Sequence, residues 1–107
     1  MSRNEHRPIQ VGDRFETRDR RDAGRIVEVV EALGIRDRGR QRLARIEAGP
    51  DVNRWGEAKA DRLRWAREQE TIYRIRTITN PRAPHATGRH VKVQENTLRA
   101  KFKRVSD

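Results

Sequence analysis

Arg74, Arg76, His90, Lys92, Lys101 and Lys103 stand at alternate positions in three short runs near the C-terminus. Arg74 and Arg76 alternate with Tyr73 and Ile75, His90 and Lys92 with Val91 and Val93, and Lys101 and Lys103 flank Phe102. Successive side chains of an extended strand point to opposite faces, so each run reads as a strand with one apolar and one cationic side. If the three strands are neighbours, their cations merge into one surface, extended by Arg82 and Arg89 in and after the intervening loop. Such a surface suits the phosphates of a nucleic acid, with an affinity that falls steeply as salt rises. Acid is scarce in the same stretch: residues 71–107 hold nine basic and two acidic groups, carrying +7 of the net +10.

Other chemistry finds little support. His6, His85 and His90 have no carboxylate or thiolate at ligand spacing, so no metal site is expected. Asp13, Asp19 and Asp22 fall in a turn and a loop among Arg18, Arg20 and Arg21, where turn formation and local ion pairing account for them. There is no nucleophile elbow and no phosphate loop, and neither an enzyme nor a cofactor is expected. Trp55 and Trp65 are ten positions apart in a highly charged stretch and fall on different faces of a helix there. An exposed tryptophan suits a protein interface, which is the second reading of function: a module that binds RNA polymerase or a phage or host protein.

Composition bounds the class. With 107 residues, 33% hydrophobic and 39% charged, and with Trp55, Trp65, Tyr73, Phe15 and Phe102 as its five aromatic residues, the chain has room for one domain and a lean core. The 22 arginines against 4 lysines weigh little, because GC-rich codon usage favours arginine throughout a proteome; the excess of positive charge weighs more. Without cysteine there can be no disulfide or thiolate zinc site. Met1 to Gln10 has no apolar run, and no stretch approaches the roughly 20 apolar residues of a membrane span. A cytoplasmic protein without membrane or small-molecule partners is the expectation.

These side chains need elements to position them. Residues 1–8 read as a flexible arm, and Ile9 to Phe15 as an opening strand broken by Gly12-Asp13. Thr17 to Gly24 reads as a solvated loop. Arg25 to Leu33 is the clearest strand, closed by Gly34, with apolar residues on both faces as if covered on both sides for part of its length. Residues 36–70 form a charged insertion. Asp37 to Ala48 ends at Gly49-Pro50 as a helix does, and Asp51 could cap a second helix over Val52 to Gln69. A charged hairpin over residues 40–48 is the alternative. Thr71 to Thr79 is a strand, Asn80 to Gly88 a proline-punctuated loop, Arg89 to Gln94 a strand, Glu95 to Leu98 a one-turn connector and Ala100 to Val105 the last strand.

The outline is mainly β within the α+β class: about five strands over 9–35 and 71–107, with a helical insertion between the second and third. It resembles an SH3-like small barrel. Val11-Gly12-Asp13-Arg14-Phe15, followed by Gly24-Arg25-Ile26-Val27-Glu28-Val29, resembles the KOW motif of ribosomal proteins and transcription elongation factors. It is also similar to the Tudor-like domain of the CarD group, in which a basic strand precedes a short Glu-Asn turn, here Val93-Gln94-Glu95-Asn96. In outline the chain is similar to small proteins of actinobacteria and their phages. The resemblance covers residues 9–33 well and 71–105 loosely, and leaves 36–70 unmatched. The expected function is a non-catalytic nucleic-acid-binding protein, with DNA favoured over RNA, using Arg74, Arg76, Arg82, Arg89, His90, Lys92, Lys101 and Lys103.

Overall fold

A computed structural model describes residues 7–51 and 58–105. Five strands form one antiparallel sheet: β1 (Arg14–Thr17), β2 (Ile26–Ile35), β3 (Thr71–Thr79), β4 (His90–Gln94) and β5 (Phe102–Arg104), in the order β4-β3-β2-β1-β5. Among the described residues three α-helices accompany it: α1 (Asp37–Ala48) and α2 (Lys59–Glu70) between β2 and β3, and α3 (Glu95–Lys101) between β4 and β5. The fold is therefore α+β with a helical insertion at the expected place, and 40–48 is helix rather than hairpin.

The sheet is curled but not closed. A flat sheet of this order would put its edge strands roughly 19 Å apart, yet β4 and β5 are joined by a seven-residue helix only about 10 Å long. The curl turns one face inward, where Phe15, Val27, Val29, Tyr73, Ile75 and Phe102 pack with Ile9 and with Leu98 of α3. Val27 and Val29 lie opposite Thr77 and Ile75 across the β2–β3 ladder, so the β-branched runs of the two strands face the same core.

Several boundaries differ from expectation for identifiable reasons. The opening strand begins at Arg14, because Gln10 to Asp13 is a tight turn in which Gly12 adopts φ +98° and the Gln10 amide donates to the Asp13 carboxylate. Arg7 and Pro8, assigned to the arm, accept hydrogen bonds at their carbonyls from Arg104. β2 runs through Gly34 to Ile35, and irregularities at Val29/Glu31 and Ala32/Gly34 shift its register. Those bulges, not burial on both faces, explain its broken alternation: beyond Val30 it is largely exposed. The connector after β4 is a full helix ending at Lys101, so Ala100 and Lys101 are helical and β5 starts at Phe102. α2 begins at Lys59 with Ala58 at its N-cap, while Asp51 pairs with the Lys59 ammonium at 3.3 Å. The first part of the predicted second helix, including Val52 and Trp55, lies outside the described residues.

α1 and α2 form an antiparallel pair that leaves β2 at Ile35 and re-enters the sheet at Thr71, its register partner. They approach closely at Gly39: a Cβ there would come within 2.6 Å of the Glu70 Cβ. No helix among the described residues is long and apolar enough to cross a membrane.

Candidate nucleic-acid interface

The three cationic runs do not form one surface. β3 and β4 are neighbours, but β5 lies at the other edge of the sheet, separated from β3 by β2 and β1. Lys92 stands opposite Arg74 and His90 opposite Arg76, on the outer face. Lys103 is across the sheet and paired with Glu16 at 3.8 Å, and Lys101 belongs to α3.

Nor is that outer face free of acid. Arg74 pairs with Glu31 at 2.9 Å and Arg76 with Glu28 at 3.3 Å, and Glu28 also accepts from Arg14. Acids are rare along residues 71–107 in sequence, but antiparallel pairing brings the two glutamates of β2 alongside β3. Like charges directly opposite one another in a ladder repel, and the carboxylates offset that cost for Arg74 beside Lys92. The face therefore interleaves cations and acids, with Lys92 carrying no ion pair among the described residues. The valines behind it also differ from expectation: Val93 packs on the core, but Val91, out on the edge strand, is 46% exposed.

Positive charge gathers instead at one end of the sheet. The β1–β2 loop (residues 18–25), the β3–β4 loop (80–89) and the α3–β5 junction all meet there. Gly24, at φ +89°, lets the chain pass so close to Pro81 that a Cβ would lie 3.0 Å from the ring. The Arg18 amide donates to the Lys101 carbonyl at 2.9 Å and its guanidinium to the Phe102 carbonyl at 3.1 Å. The Arg25 guanidinium lies over the Phe102 ring, 5.7 Å from its centroid. Across the ladder Thr77 donates to the Arg89 carbonyl at 3.0 Å, fixing where that side chain leaves the sheet. The buried Asn80 holds the second loop in shape, its side-chain oxygen accepting from the Arg82 and Ala83 amides.

These segments bring together Arg18, Arg20, Arg21, Arg25, Arg82, Arg89 and Lys101, with Asp19 and Asp22 as their only acids. Asp19 is spent on Arg21 at 3.1 Å, and its hydrogen bonds to the Arg21 side chain and amide hold its carboxyl below the usual range. Among the described residues Arg20, Arg82 and Arg89 form no ion pair, nor does Lys101, whose charge only adds to the lowering of the Asp19 carboxyl. No protein-family model matches this chain. No curated protein and no solved structure matches it either.

Of the residues expected to bind, Arg82, Arg89 and Lys101 therefore belong to this end, and His90 adjoins it at the start of β4. Arg74 and Arg76 lie ion-paired on the outer face, and Lys103 sits at the far edge. The contribution of Arg18, Arg20, Arg21 and Arg25 was missed. Their run, TRDRRDAGR, has four arginines to two aspartates, but averaging over residues 1–25 hid that excess behind Glu5, Asp13 and Glu16. Trp65, proposed for a protein interface, is 59% exposed on α2, with the Arg42 guanidinium 5.5 Å from its ring centroid. Trp55 lies outside the described residues. No group of three or more His, Asp or Glu among the described residues could hold a metal.

Proposed function

We propose that this protein is a non-catalytic nucleic-acid-binding protein that grips the phosphate backbone, of DNA rather than RNA, with the loop end of its sheet. One observation carries the reading: seven cations from three separate segments converge there against two acids, and among the described residues Arg21 alone of the seven forms an ion pair. A cluster like this is unfavourable for the isolated fold, because uncompensated like charges repel; a polyanion would relieve it. Among the described residues Phe102 is the one Phe, Tyr or Trp placed at these loops, and Arg25 covers it, so recognition rests on charge and shape rather than base stacking. The strand order, with β5 returning to β1 after a short helix, supports an SH3-like small barrel as the finer fold. The V-G-D turn at Val11-Gly12-Asp13 is in keeping with the KOW and CarD-type outline.

The test is a titration of duplex DNA at several salt concentrations. Wild type should bind with a log–log salt slope of about −0.9 for each phosphate neutralised, and Arg20→Ala/Arg82→Ala/Arg89→Ala should flatten that slope by two to three such units, roughly. Failure to bind duplex or single-stranded DNA at low salt, or an unchanged slope in the triple variant, would sink the proposal. A second reading, a protein-interaction module, is favoured by the exposure of Trp65 alone. Capture of a partner that survives nuclease treatment and is lost in Trp65→Ala would support it.

A further inference from the structure

The α1–α2 pair carries a second cationic feature at the other end of the molecule, independent of the loop-end reading. α1 starts where β2 ends and α2 leads directly into β3, so the pair sits at the opposite end of the nine-residue β3 from the loops, roughly 30 Å away. Between the helices lies a cleft of about 310 Å³ lined by Arg36, Arg38, Arg42, Arg45 and Glu70. Its size is at the small end of the roughly 300–1,000 Å³ typical of small-molecule sites, enough for a phosphate and the sugar attached to it.

Four guanidiniums share this cleft with one carboxylate. Glu70 is largely buried, its side chain 13% exposed, and it holds Arg42 at 3.3 Å and Arg36 at 3.7 Å. Gln69 adds a hydrogen bond to Arg42 at 3.0 Å. A single buried acid thus positions two arginines without neutralising both. Arg38 and Arg45 also line the cleft, and neither has a carboxylate partner among the described residues. Planar guanidiniums held in place are the side chains best suited to bidentate contact with phosphate oxygens. Arg42 connects this charge to an aromatic surface, because the same guanidinium lies over Trp65. The indole is more than half exposed, leaving a flat face beside the cationic cleft.

We propose that the α1–α2 cleft binds the phosphate group of a nucleotide, with the base resting against Trp65. The shared chemistry is a phosphate joined to a nucleobase, which either a free mononucleotide or a single strand supplies. Phosphate alone would use the arginines and an apolar partner the indole; a nucleotide uses both.

Calorimetric titration with inorganic phosphate, AMP and a short oligo(dT) at low salt tests the proposal. AMP is expected to bind about tenfold more tightly than inorganic phosphate, since stacking adds to the phosphate contact. Arg38→Ala/Arg45→Ala, at two exposed positions, should weaken AMP about tenfold or more, and Trp65→Ala should bring AMP down to the affinity of phosphate. Oligo(dT) binding with the same dependence on Arg38, Arg45 and Trp65 would identify a strand as the ligand; AMP binding alone would identify a free nucleotide. The proposal is overturned by absence of binding for all three probes, by AMP binding no tighter than phosphate, or by unchanged affinity in Arg38→Ala/Arg45→Ala. Arg20→Ala/Arg82→Ala/Arg89→Ala should retain AMP binding in full, so loss of duplex binding in that variant bears on the loop end alone.

Discussion

Gly39 of α1 and Glu70 at the end of α2 are packed so closely that a Cβ on Gly39 would lie 2.6 Å from the Cβ and 2.8 Å from a carboxylate oxygen of Glu70. The glycine is not there for backbone freedom, since it lies within an ordinary helix. It is there because α1 and α2 cannot otherwise approach, and that approach lets Glu70 reach Arg36 and Arg42. Replacing it by alanine gains up to about 1 kcal/mol of helix propensity. It also forces apart two helices whose clashing atom sits next to the backbone, at a cost of about 2–3 kcal/mol. Gly39→Ala should therefore lower the urea midpoint rather than raise it, and change Trp65 fluorescence as Arg42 is displaced.

Arg104 ties three parts of the fold together. Its guanidinium donates to the Asp13 carboxylate and to the carbonyls of Arg7 and Pro8, and lies 5.1 Å from the Phe15 ring centroid. The side chain is only 12% exposed. Arg104→Met should keep the packing against Phe15 but remove the charged partner of Asp13, which keeps only the Gln10 amide, and one donor from each of the Arg7 and Pro8 carbonyls, lowering stability by about 2 kcal/mol in chemical unfolding. Hydrogen exchange should rise most at the amides near Gln10 and Asp13, whose turn the pair secures. Uniform protection across the sheet in that variant would argue against this local role.

Much of the fold was legible, and the misses share a cause. β3 and α1 match their expected limits, because six of the nine residues of TIYRIRTIT are β-branched and Gly49-Pro50 stops α1. Local pattern sufficed where the element was decided locally. It failed for α3, where Glu95 to Lys101 is too short and polar to predict as a helix, although Leu98 buries completely beneath the sheet. The charge reading failed in a related way. Counting acids along residues 71–107 could not reveal Glu28 and Glu31, which only strand pairing brings beside Arg76 and Arg74. The sequence does carry one signal of the helical cleft: Arg38, Arg42 and Arg45 follow an i, i+4, i+7 spacing, which places three arginines on one face of α1.

The ion-paired outer face permits a direct comparison with the loop end. Arg74 and Arg76 are each held by a glutamate and would have to leave it to meet a phosphate, so their net gain from binding is small. Arg74→Ala/Arg76→Ala should reduce duplex DNA affinity by no more than about threefold at moderate salt, through the general loss of charge. Arg82→Ala/Arg89→Ala, matched in charge, should reduce it about tenfold or more. Fluorescence anisotropy on the two double variants side by side measures the difference. Equal losses would return the outer sheet face to the interface.

Tyr73 gives the fold a dependence on alkaline pH. It is buried in the core, and burial first, then the neighbouring Glu95 carboxylate, push its phenol up to about 12. Its hydroxyl donates to Glu95 at 3.3 Å, a bond that exists only while the phenol is protonated. An unfolded tyrosine ionises near 10, so the folded state retains its proton over a range in which the unfolded state loses it. The stabilising effect is complete below about pH 10 and is lost as pH rises toward 12, where it amounts to about 2 kcal/mol. Since Tyr73 is the only tyrosine, ultraviolet difference titration follows this one group without interference. The native protein should titrate near 12 and the urea-unfolded protein near 10, with the urea midpoint falling between them. Tyr73→Phe should begin less stable, having lost the bond to Glu95, but should lose less over the same interval. A native titration near 10 would mean that the phenol reaches solvent and that the β3–α3 packing is looser than the burial of Tyr73 implies.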